Sequence, residues 1–256
     1  MKEETNLVAT SPIEQFEVQT KVPLEVAGID VSFTNSSQWM VIVLLALTVF
    51  MVGGMRKSSV VPGRWQSMVE LAYEFIAGMV RDNVGKEGKA YFPFIFTLFM
   101  FILGSNLAGM IPGAFTVTSH IAVNFAMAMF VFLAVTLIGF IKNGAGYLKL
   151  FAPSGVPGWL LPLIVLIEII SYCTRPISLA VRLFANMLAG HIMMKVFAGF
   201  IISLGALGAV GIAGAVAPFA VTVLLTGLEI LVACLQAFVF TILTCIYLHD
   251  AMHPAH

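Results

Sequence analysis

The sequence predicts an all-α integral membrane protein with about five membrane-embedded helices, an interfacial amphipathic helix and two long, strongly tilted C-terminal helices. Three observations lead to this prediction. Of the 256 residues, 60% are hydrophobic and only 10% are charged, whereas a soluble domain carries about 25% charged residues. The mean hydropathy is +1.00. The apolar residues are also grouped into runs that are long enough to cross a bilayer.

Composition and motifs exclude several functions. The formal net charge is zero, so the chain lacks the basic footprint of a nucleic-acid-binding protein. It contains no GxxxxGK[ST] loop and no HExxH or CxxC pair, so we expect it to bind no nucleotide, metal or cofactor. His249 and His253 stand four residues apart near the C-terminus, and we interpret them as solvated side chains rather than a metal pair.

The N-terminal part divides into a polar segment and a first membrane helix. Residues 1–38 contain six acids and two lysines and are predicted to form a mobile, surface-lying, non-cytoplasmic segment. Residues 39–55 form an uncharged run that is just long enough to span the bilayer. Arg56 and Lys57 end this run.

Residues 56–90 are predicted to be a cytoplasmic loop that contains an amphipathic helix. Between Arg64 and Gly85, apolar residues recur with helical periodicity and leave one polar face. The pattern leaves open whether this helix lies in the membrane interface or packs on another subunit. Residues 91–141 follow as a membrane hairpin, because the turn-rich link GMIPGAFTVTSH joins two apolar runs. A cytoplasmic loop is predicted for residues 142–158.

The pair of long helices lies within residues 159–248. The uninterrupted runs 163–199 and 216–248 correspond to helices of about 55 Å and 50 Å. The hydrocarbon core is only about 30 Å thick, so each helix is either broken, with Pro176 offering a kink, or strongly tilted, and we expect tilt. The glycine-rich stretch ISLGALGAVGIAG separates the runs and suggests a flexible turn or a close helix contact. Residues 249–256 form the C-terminal tail.

The distribution of basic residues among the loops predicts how the chain is oriented in the membrane. Lys and Arg number two in residues 1–38 and six in residues 56–90. The positive-inside rule therefore places the N-terminus outside and the second of these segments in the cytoplasm. Five crossings return the C-terminus to the cytoplasm.

The first long helix carries a polar stripe in an otherwise apolar surface. Glu168, Arg175 and Arg182 are spaced by seven residues, so they share one helix face. Ser178 and Asn186 widen this stripe. Charge within a membrane is costly and is usually retained for function. Glu168 and Arg175 either form a helix-stabilising ion pair or belong to the functional path.

The second long helix carries a matching stripe with Glu229 and Gln236, again seven residues apart. An arginine stays protonated under all relevant conditions, so Arg182 can act as a fixed positive charge but cannot relay protons. Glu229 and His191 can titrate and therefore can relay them. The amide of Gln236 can hydrogen-bond the arginine and orient it. This set of groups suggests a gate with titratable approaches.

Two stretches carry a resemblance to a known family. RPISLAVRLFANMLAGH, at residues 175–191, and LQAFVFTILTCIYL, at 235–248, resemble subunit a of F-type ATP synthase, the membrane stator that faces the rotating c-ring. The resemblance covers most of the chain from residue 39 onward. It implies that the long helices form a hairpin against the c-ring. It also implies contacts with b-type peripheral stalk subunits, with the lipid bilayer and, through the complex, with the F1 sector. The complex would make ATP, and this chain alone would not.

The resemblance further implies roles for individual residues. The family's essential arginine matches Arg182, which makes an arriving ring carboxylate release its proton and blocks a direct leak between two aqueous half-channels. The partner glutamine matches Gln236. His120 occupies a loop position where some relatives carry an acid, and it either lines the outer channel or is an ordinary loop histidine. The residues assigned to the proton path by their match or by their place in the stripe are Glu168, Ser178, Asn186, His191 and Glu229.

Two other functions remain open at this stage. A stand-alone ion channel or secondary transporter would share the buried charges, but transporters usually show inverted repeats, and residues 39–141 lack the polar stripes of residues 160–248. A purely structural membrane subunit would tolerate loss of Arg182. The N-terminus has no import-type pattern, so we expect the bacterial inner membrane, with the mitochondrial inner membrane as the alternative.

Overall fold

The computed structural model describes residues 18–23, 25–26, 29–30, 32–56, 59–111, 114–151 and 158–253. Within this part of the chain lie six α-helices, five of which are long and apolar enough to cross a membrane. The predicted all-α membrane fold is therefore confirmed. Most of the predicted segment 1–38, part of the loop 142–158 and the last three residues of the tail 249–256 fall outside the described residues. The helices are α1 (Asn35–Met55), α2 (Arg64–Val84), α3 (Phe92–Gly109), α4 (Ile121–Asn143), α5 (Leu161–Gly205) and α6 (Ala209–Met252).

Short antiparallel strands precede the first helix. β1 (Thr20–Val22) pairs with β4 (Phe33–Thr34), and β2 (Glu25–Val26) pairs with β3 (Ile29–Asp30). The last residue of β4 caps α1, because the Thr34 side chain accepts a hydrogen bond from the backbone N–H of Ser37 at 3.3 Å. A side-chain cap of this kind satisfies one of the free N–H groups of the first turn. The helix therefore begins four residues before the apolar run.

The amphipathic helix α2 packs within its own chain. Its buried side, which includes Val69, Ile76 and Val80, contacts α1, α3 and α6. Trp65 and Phe75 nevertheless remain about half exposed. Trp65 stacks on an aromatic ring of α1, and Phe75 contacts aromatic rings of α3 and α6. The sequence predicts that the apolar face of this helix contacts either the membrane interface or another subunit. In the structure, part of that face packs on other helices of the same chain.

α6 is the central helix of the bundle, since it contacts α2, α3, α4 and α5. α5 packs on α4 and α6 and on the 3-10 segments Val117–Ser119 and Gly144–Phe151. It makes no comparable contact with α1 or α2 in the described part of the chain. One long face of α5 is consequently left on the outside of the molecule.

The connection between the two long helices is short. α5 and α6 contain 45 and 44 residues, which corresponds to about 68 Å and 66 Å. Only residues 206–208 connect them, so the turn takes up three residues of the glycine-rich stretch 202–214 and the rest of the stretch belongs to the two helices. Gly208 makes the short turn possible, because its φ of +78° is a value that favours glycine. Helices of this length cross a core of about 30 Å only at a steep tilt or by extending beyond it.

Neither long helix is broken by proline. Pro176 lies inside α5 and Pro218 inside α6, and helical structure continues on both sides of each. The expectation that tilt rather than a break accommodates these helices agrees with this continuity. In the described part of the predicted loop 142–158, α4 continues to Asn143 and is followed directly by the 3-10 helix Gly144–Phe151.

Candidate functional site

The antiparallel packing of α5 and α6 buries a histidine against a glutamate. His191 Nδ1 lies 3.5 Å from Glu229 Oε1, and each side chain is 5% exposed. The glutamate approaches α5 at Gly190, where an added Cβ would lie only 2.9 Å from Oε1. Neither carboxylate oxygen has a hydrogen-bond partner among the described residues. A buried carboxylate is costly unless it is paired, so packing alone does not account for a glutamate at this position.

The second ring nitrogen of His191 faces a hydroxyl group. Nε2 lies 3.0 Å from Thr116 Oγ1, in the link between α3 and α4. Thr116 Oγ1 also donates to the carbonyl of Gly109 at 3.3 Å. The imidazole thus stands between a carboxylate on α6 and a hydroxyl in the link. Because an imidazole can accept a proton on one nitrogen and release one from the other, this arrangement can pass protons.

A network of uncharged polar side chains continues from this pair, and the sequence analysis did not identify it. Thr118 Oγ1 donates to Asn106 Oδ1 at 2.8 Å, and Asn106 Nδ2 donates to the carbonyl of Ala233 at 3.2 Å. Asn124 Nδ2 donates to the carbonyl of Thr118 at 2.7 Å. All three of these polar side chains are fully buried. The network ties the ends of α3 and α4 to α6 one turn beyond Glu229.

His120 lies next to this network. Its ring stacks on Phe115 with centroids 4.8 Å apart. Burial lowers the pKa of His120 from its ordinary value of 6.5, so the imidazole is neutral at pH 7. His120 Nε2, Ser105 Oγ and Asn124 Oδ1 are buried without a hydrogen-bond partner among the described residues. Buried polar atoms are normally bonded to protein or to ordered water, so these three atoms are suited to contact water.

Arg182 lies on the outer face of α5, near the middle of the helix. Ser178 and Asn186, one turn before and after it, are exposed on the same face. These three residues belong to the polar stripe predicted from the sequence. Within the described chain, no hydrogen bond or ion pair involving Arg182 is formed. Its guanidinium is therefore presented outward from the middle of an apolar helix.

Gln236 lies on α6 at nearly the same level as Arg182 but faces the other way. The contacts His191–Glu229 and Met194–Thr226 define the antiparallel register and bring Gln236 within about one turn of Arg182. However, Gln236 is only 5% exposed and points to the bundle interior, and no hydrogen bond to the arginine occurs between these described residues. The role of Gln236 in orienting the gate stays a prediction.

A second polar cluster surrounds Arg175. Its guanidinium lies 3.7 Å from Glu168 Oε1 and 3.9 Å from Asp250 Oδ2, and it covers the ring of Tyr247 at 4.9 Å from the centroid. The contact with Glu168 is the one suggested by the sequence. Asp250 was not identified as a partner, because the prediction placed it in the tail. Since Asp250 belongs to α6, its contact with Arg175 links the two long helices. The contact with Glu168 joins two turns of α5.

Tyrosine side chains extend the second cluster into the bundle. Tyr172, one turn before Arg175, hydrogen-bonds Tyr147 at 2.9 Å and also Thr136 on α4. The two tyrosines, Arg175 and Asp250 are among the residues that line a cavity of about 10 Å³, a volume on the scale of one water molecule. The sequence analysis missed this extension, since isolated tyrosines and threonines in apolar runs give no periodic signal.

The two clusters lie at different levels of α5, with Arg182 between them. Arg175 precedes Arg182 by seven residues and His191 follows it by nine. At 1.5 Å per residue these intervals are about 10 Å and 13 Å. A permanently charged group on the outer face thus separates the buried cluster around His191 from the partly exposed cluster around Arg175. Both clusters carry titratable side chains.

Fold and site together define an α-helical, multi-pass membrane protein. The comparisons with known proteins identify its family. A sequence profile of the ATP synthase A chain family matches residues 37–249, and the chain belongs to this family, the a subunits of the membrane sector, CF(0), of proton-transporting F-type ATP synthases. Similar curated proteins come from bacteria, and five helices are apolar enough to span a membrane, so the chain is a multi-pass protein of a bacterial membrane.

Three relatives illustrate the match. The ATP synthase subunit a of Parvibaculum lavamentivorans is 61% identical over 245 residues, which cover 96% of this chain and 94% of that protein. The subunit a of a Chelativorans species is 59% identical over 249 residues, 97% of this chain and 100% of that protein. The subunit a of Rhizobium rhizogenes is 58% identical over 247 residues, 96% of this chain and 99% of that protein.

Proposed function

We propose that this subunit carries protons to and from a rotating ring through two aqueous half-channels, with Arg182 as the fixed charge between them. The observation that carries the proposal is the outward-facing position of Arg182 in the middle of α5. A cation at the centre of a membrane helix costs about 2.5–3.5 kcal/mol on insertion scales when it faces lipid. A ring carboxylate on a partner helix would instead face this cation and be stabilised in its charged form.

The half-channels are assigned to the two polar clusters, one around His191 and one around Arg175. His191, Glu229, Thr116 and His120 belong to the half-channel on the side of the α3–α4 link, which the positive-inside rule makes non-cytoplasmic. Glu168 belongs to the cytoplasmic half-channel. A proton that enters on the first side is passed to a ring carboxylate, travels with the ring, and is released on the second side. Arg182 repels protons at the point where the two paths would otherwise meet.

The assembly and orientation are part of the same proposal. The outer face of α5 would contact the c-ring, and b-type stalk subunits and the F1 sector would complete the stator and the catalytic part. The N-terminal segment 1–38 would lie outside the cytoplasm, and the 56–90 and 142–158 segments inside it. The membrane would be the bacterial inner membrane.

A reconstitution experiment separates this function from a stand-alone channel or transporter. Liposomes that contain this chain alone should show no proton flux above that of empty liposomes, because the carrier carboxylate lies on the ring. Liposomes that contain the chain with the ring and stalk subunits should conduct. Equal flux with and without the ring would refute the stator function and favour a channel.

Replacement of Thr116 by valine tests the contact with His191. The change keeps the shape of the side chain but removes the 3.0 Å hydrogen bond to Nε2. A bond of this kind contributes about 0.5–1.5 kcal/mol, so we expect proton-driven ATP synthesis in vesicles to fall by about threefold to tenfold. Thr116→Ser keeps the hydroxyl and should restore most of the rate. Equal rates for the valine and serine variants would remove Thr116 from the path.

Replacement of Gly190 by alanine tests the position of the Glu229 carboxylate. The new Cβ would lie 2.9 Å from Oε1 and 3.3 Å from Cδ, so the carboxylate must move away from its present place beside His191. Because displacement of a reacting group by about 1 Å can cost up to 100-fold, we expect synthesis to fall by roughly tenfold with assembly intact. Gly199→Ala is the matched control, since its Cβ would meet nothing within 4 Å. The same rate in both variants would contradict the prediction.

A further inference from the structure

Residues 59–63, the part of the loop that leads into α2, are held in place by a buried amide. Gln66 accepts a hydrogen bond from the backbone N–H of Ser59 at 3.1 Å and donates one to the Ser59 carbonyl at 3.1 Å. Its second amide hydrogen goes to Glu70 Oε1 at 2.6 Å. Gln66 is only 6% exposed. The Gln66 side chain thus pairs with both backbone groups of Ser59, as a neighbouring strand would. Ser59 Oγ in turn donates to the carbonyl of Val61 at 2.6 Å.

This fixed loop presents two valines that touch almost nothing in the protein. Val60 is 103% exposed and Val61 is 82% exposed. Full burial of a valine side chain is worth about 1.5–3 kcal/mol, so an ordered loop that holds two of them in water would forgo a sizeable stabilisation. Their exposure therefore points to an apolar environment outside the chain.

The position and charge of the loop indicate what that environment is. α1 is a membrane-spanning candidate of 21 residues, about 31 Å long, so Met55 and the following residues lie at a bilayer surface. Arg56 and Arg64 are exposed on either side of the valines, and residues 53–69 contain no acid. Trp65 is 53% exposed and donates its indole N–H to the carbonyl of Phe50 at 3.1 Å. Tryptophan and basic residues are typical of membrane interfaces.

We propose that the loop containing Arg56, Val60, Val61 and Arg64 docks on the anionic lipid of the adjacent leaflet. The two valines enter the boundary between headgroups and acyl chains, and the two arginines contact lipid phosphates. The positive charge of the two arginines is complementary to anionic lipid headgroups. It is not complementary to a basic protein surface. The proposal concerns membrane anchoring and does not depend on the proton path.

A fluorescence experiment on the assembled complex tests the proposal. A bimane label is attached at Val61→Cys in a complex without other reactive cysteines, which is placed in nanodiscs of phosphatidylcholine and phosphatidylglycerol. Brominated acyl chains are supplied on one lipid or the other at equal mole fraction. We expect strong quenching by both, with brominated phosphatidylglycerol the better quencher. Arg56→Gln with Arg64→Gln should reduce that preference by up to roughly 30-fold, at about 1 kcal/mol per cation near an anionic surface.

Two controls and two contrary outcomes complete the test. Lys86→Gln with Lys89→Gln removes two exposed cations beyond the other end of α2 and should leave the preference unchanged. A label at Val22→Cys, in the N-terminal strand, controls for general lipid proximity. Quenching by aqueous iodide instead of by brominated lipid would overturn the proposal by showing a water-exposed loop. Protection from both quenchers would also overturn it, because another subunit would then cover the loop.

Discussion

Arg182→Ala is expected to abolish proton-driven ATP synthesis while leaving the complex assembled. The side chain is exposed on the outer face of α5 and makes no hydrogen bond or ion pair within the described chain, so its loss breaks no polar contact of the bundle. A membrane potential of 100 mV supplies about 2.3 kcal/mol per proton, which corresponds to roughly a 50-fold bias of forward over reverse steps. Without the fixed charge, protons would pass between the half-channels and this bias would be lost. Synthesis should therefore fall by about 50-fold or more, measured in vesicles with an imposed gradient.

Two further variants make the result specific. Arg182→Lys keeps the charge but changes the reach and hydrogen-bond geometry of the head group, so it should retain part of the activity. Arg81→Ala removes an arginine that is 80% exposed on α2 and should behave like the native complex. Native synthesis by Arg182→Ala would show that the arginine serves structure only, and the gate assignment would fail.

Glu229→Gln is expected to slow proton transfer without disturbing the fold. The amide has nearly the same shape as the carboxylate, but it cannot bind and release a proton beside His191, 3.5 Å away. Positioned acids and bases contribute about 10²–10⁴-fold to proton transfer, and water can replace part of that contribution. We therefore expect the rate of proton-driven synthesis to fall roughly 10- to 100-fold and its pH dependence to become flatter.

The matched control for this variant is Glu74→Gln, which neutralises an exposed glutamate on α2. Its rate and pH profile should equal those of the native complex. Glu229→Asp keeps a titratable group but shortens the side chain, and its rate should lie between those of the native complex and the glutamine variant. An unchanged rate and pH profile in Glu229→Gln would remove this residue from the relay.

Much of the fold could be predicted from the sequence, because a strongly apolar chain leaves few alternatives. The runs that became α1, α3 and α4 are bounded by charged or turn-forming residues, and a bilayer admits them only as helices. The ends of the long helices were harder to predict. Gly205 and Gly211 have low helix propensity, yet both lie within helices. At Gly211 an added Cβ would lie 2.0 Å from the Leu204 carbonyl oxygen, so close packing determines the choice of glycine there.

The titratable residues of the candidate site could be predicted from the sequence. His191 and Glu229 could be singled out because titratable residues are rare in membrane helices, and the structure brings them together. Thr116, Asn106 and Asn124 could not be found in this way. Each is a single uncharged polar residue in an apolar or turn-like stretch. Only the tertiary structure places Thr116 beside His191 and both asparagines beside Thr118.

Asp250 illustrates a different limit. In the sequence it stands between two histidines, close to the C-terminus, where a charged residue is normally solvated. The extension of α6 to Met252 brings it beside Arg175. Because Arg175 faces both Glu168 and Asp250, its role cannot be inferred from the seven-residue spacing on α5 alone. The spacing of charges along one helix thus predicts a shared face but not the partner supplied by the next helix.

Passive proton flux through a complex with an immobilised ring tests the central claim most directly. With the ring cross-linked to the stator, protons can cross only by passing directly from one half-channel to the other. Liposomes that contain the native complex should then be as tight as empty liposomes, and those that contain Arg182→Ala should conduct protons down an imposed potential. An Arg182→Ala complex that stays tight when the ring is locked, and that still makes ATP when it is free, would contradict the account.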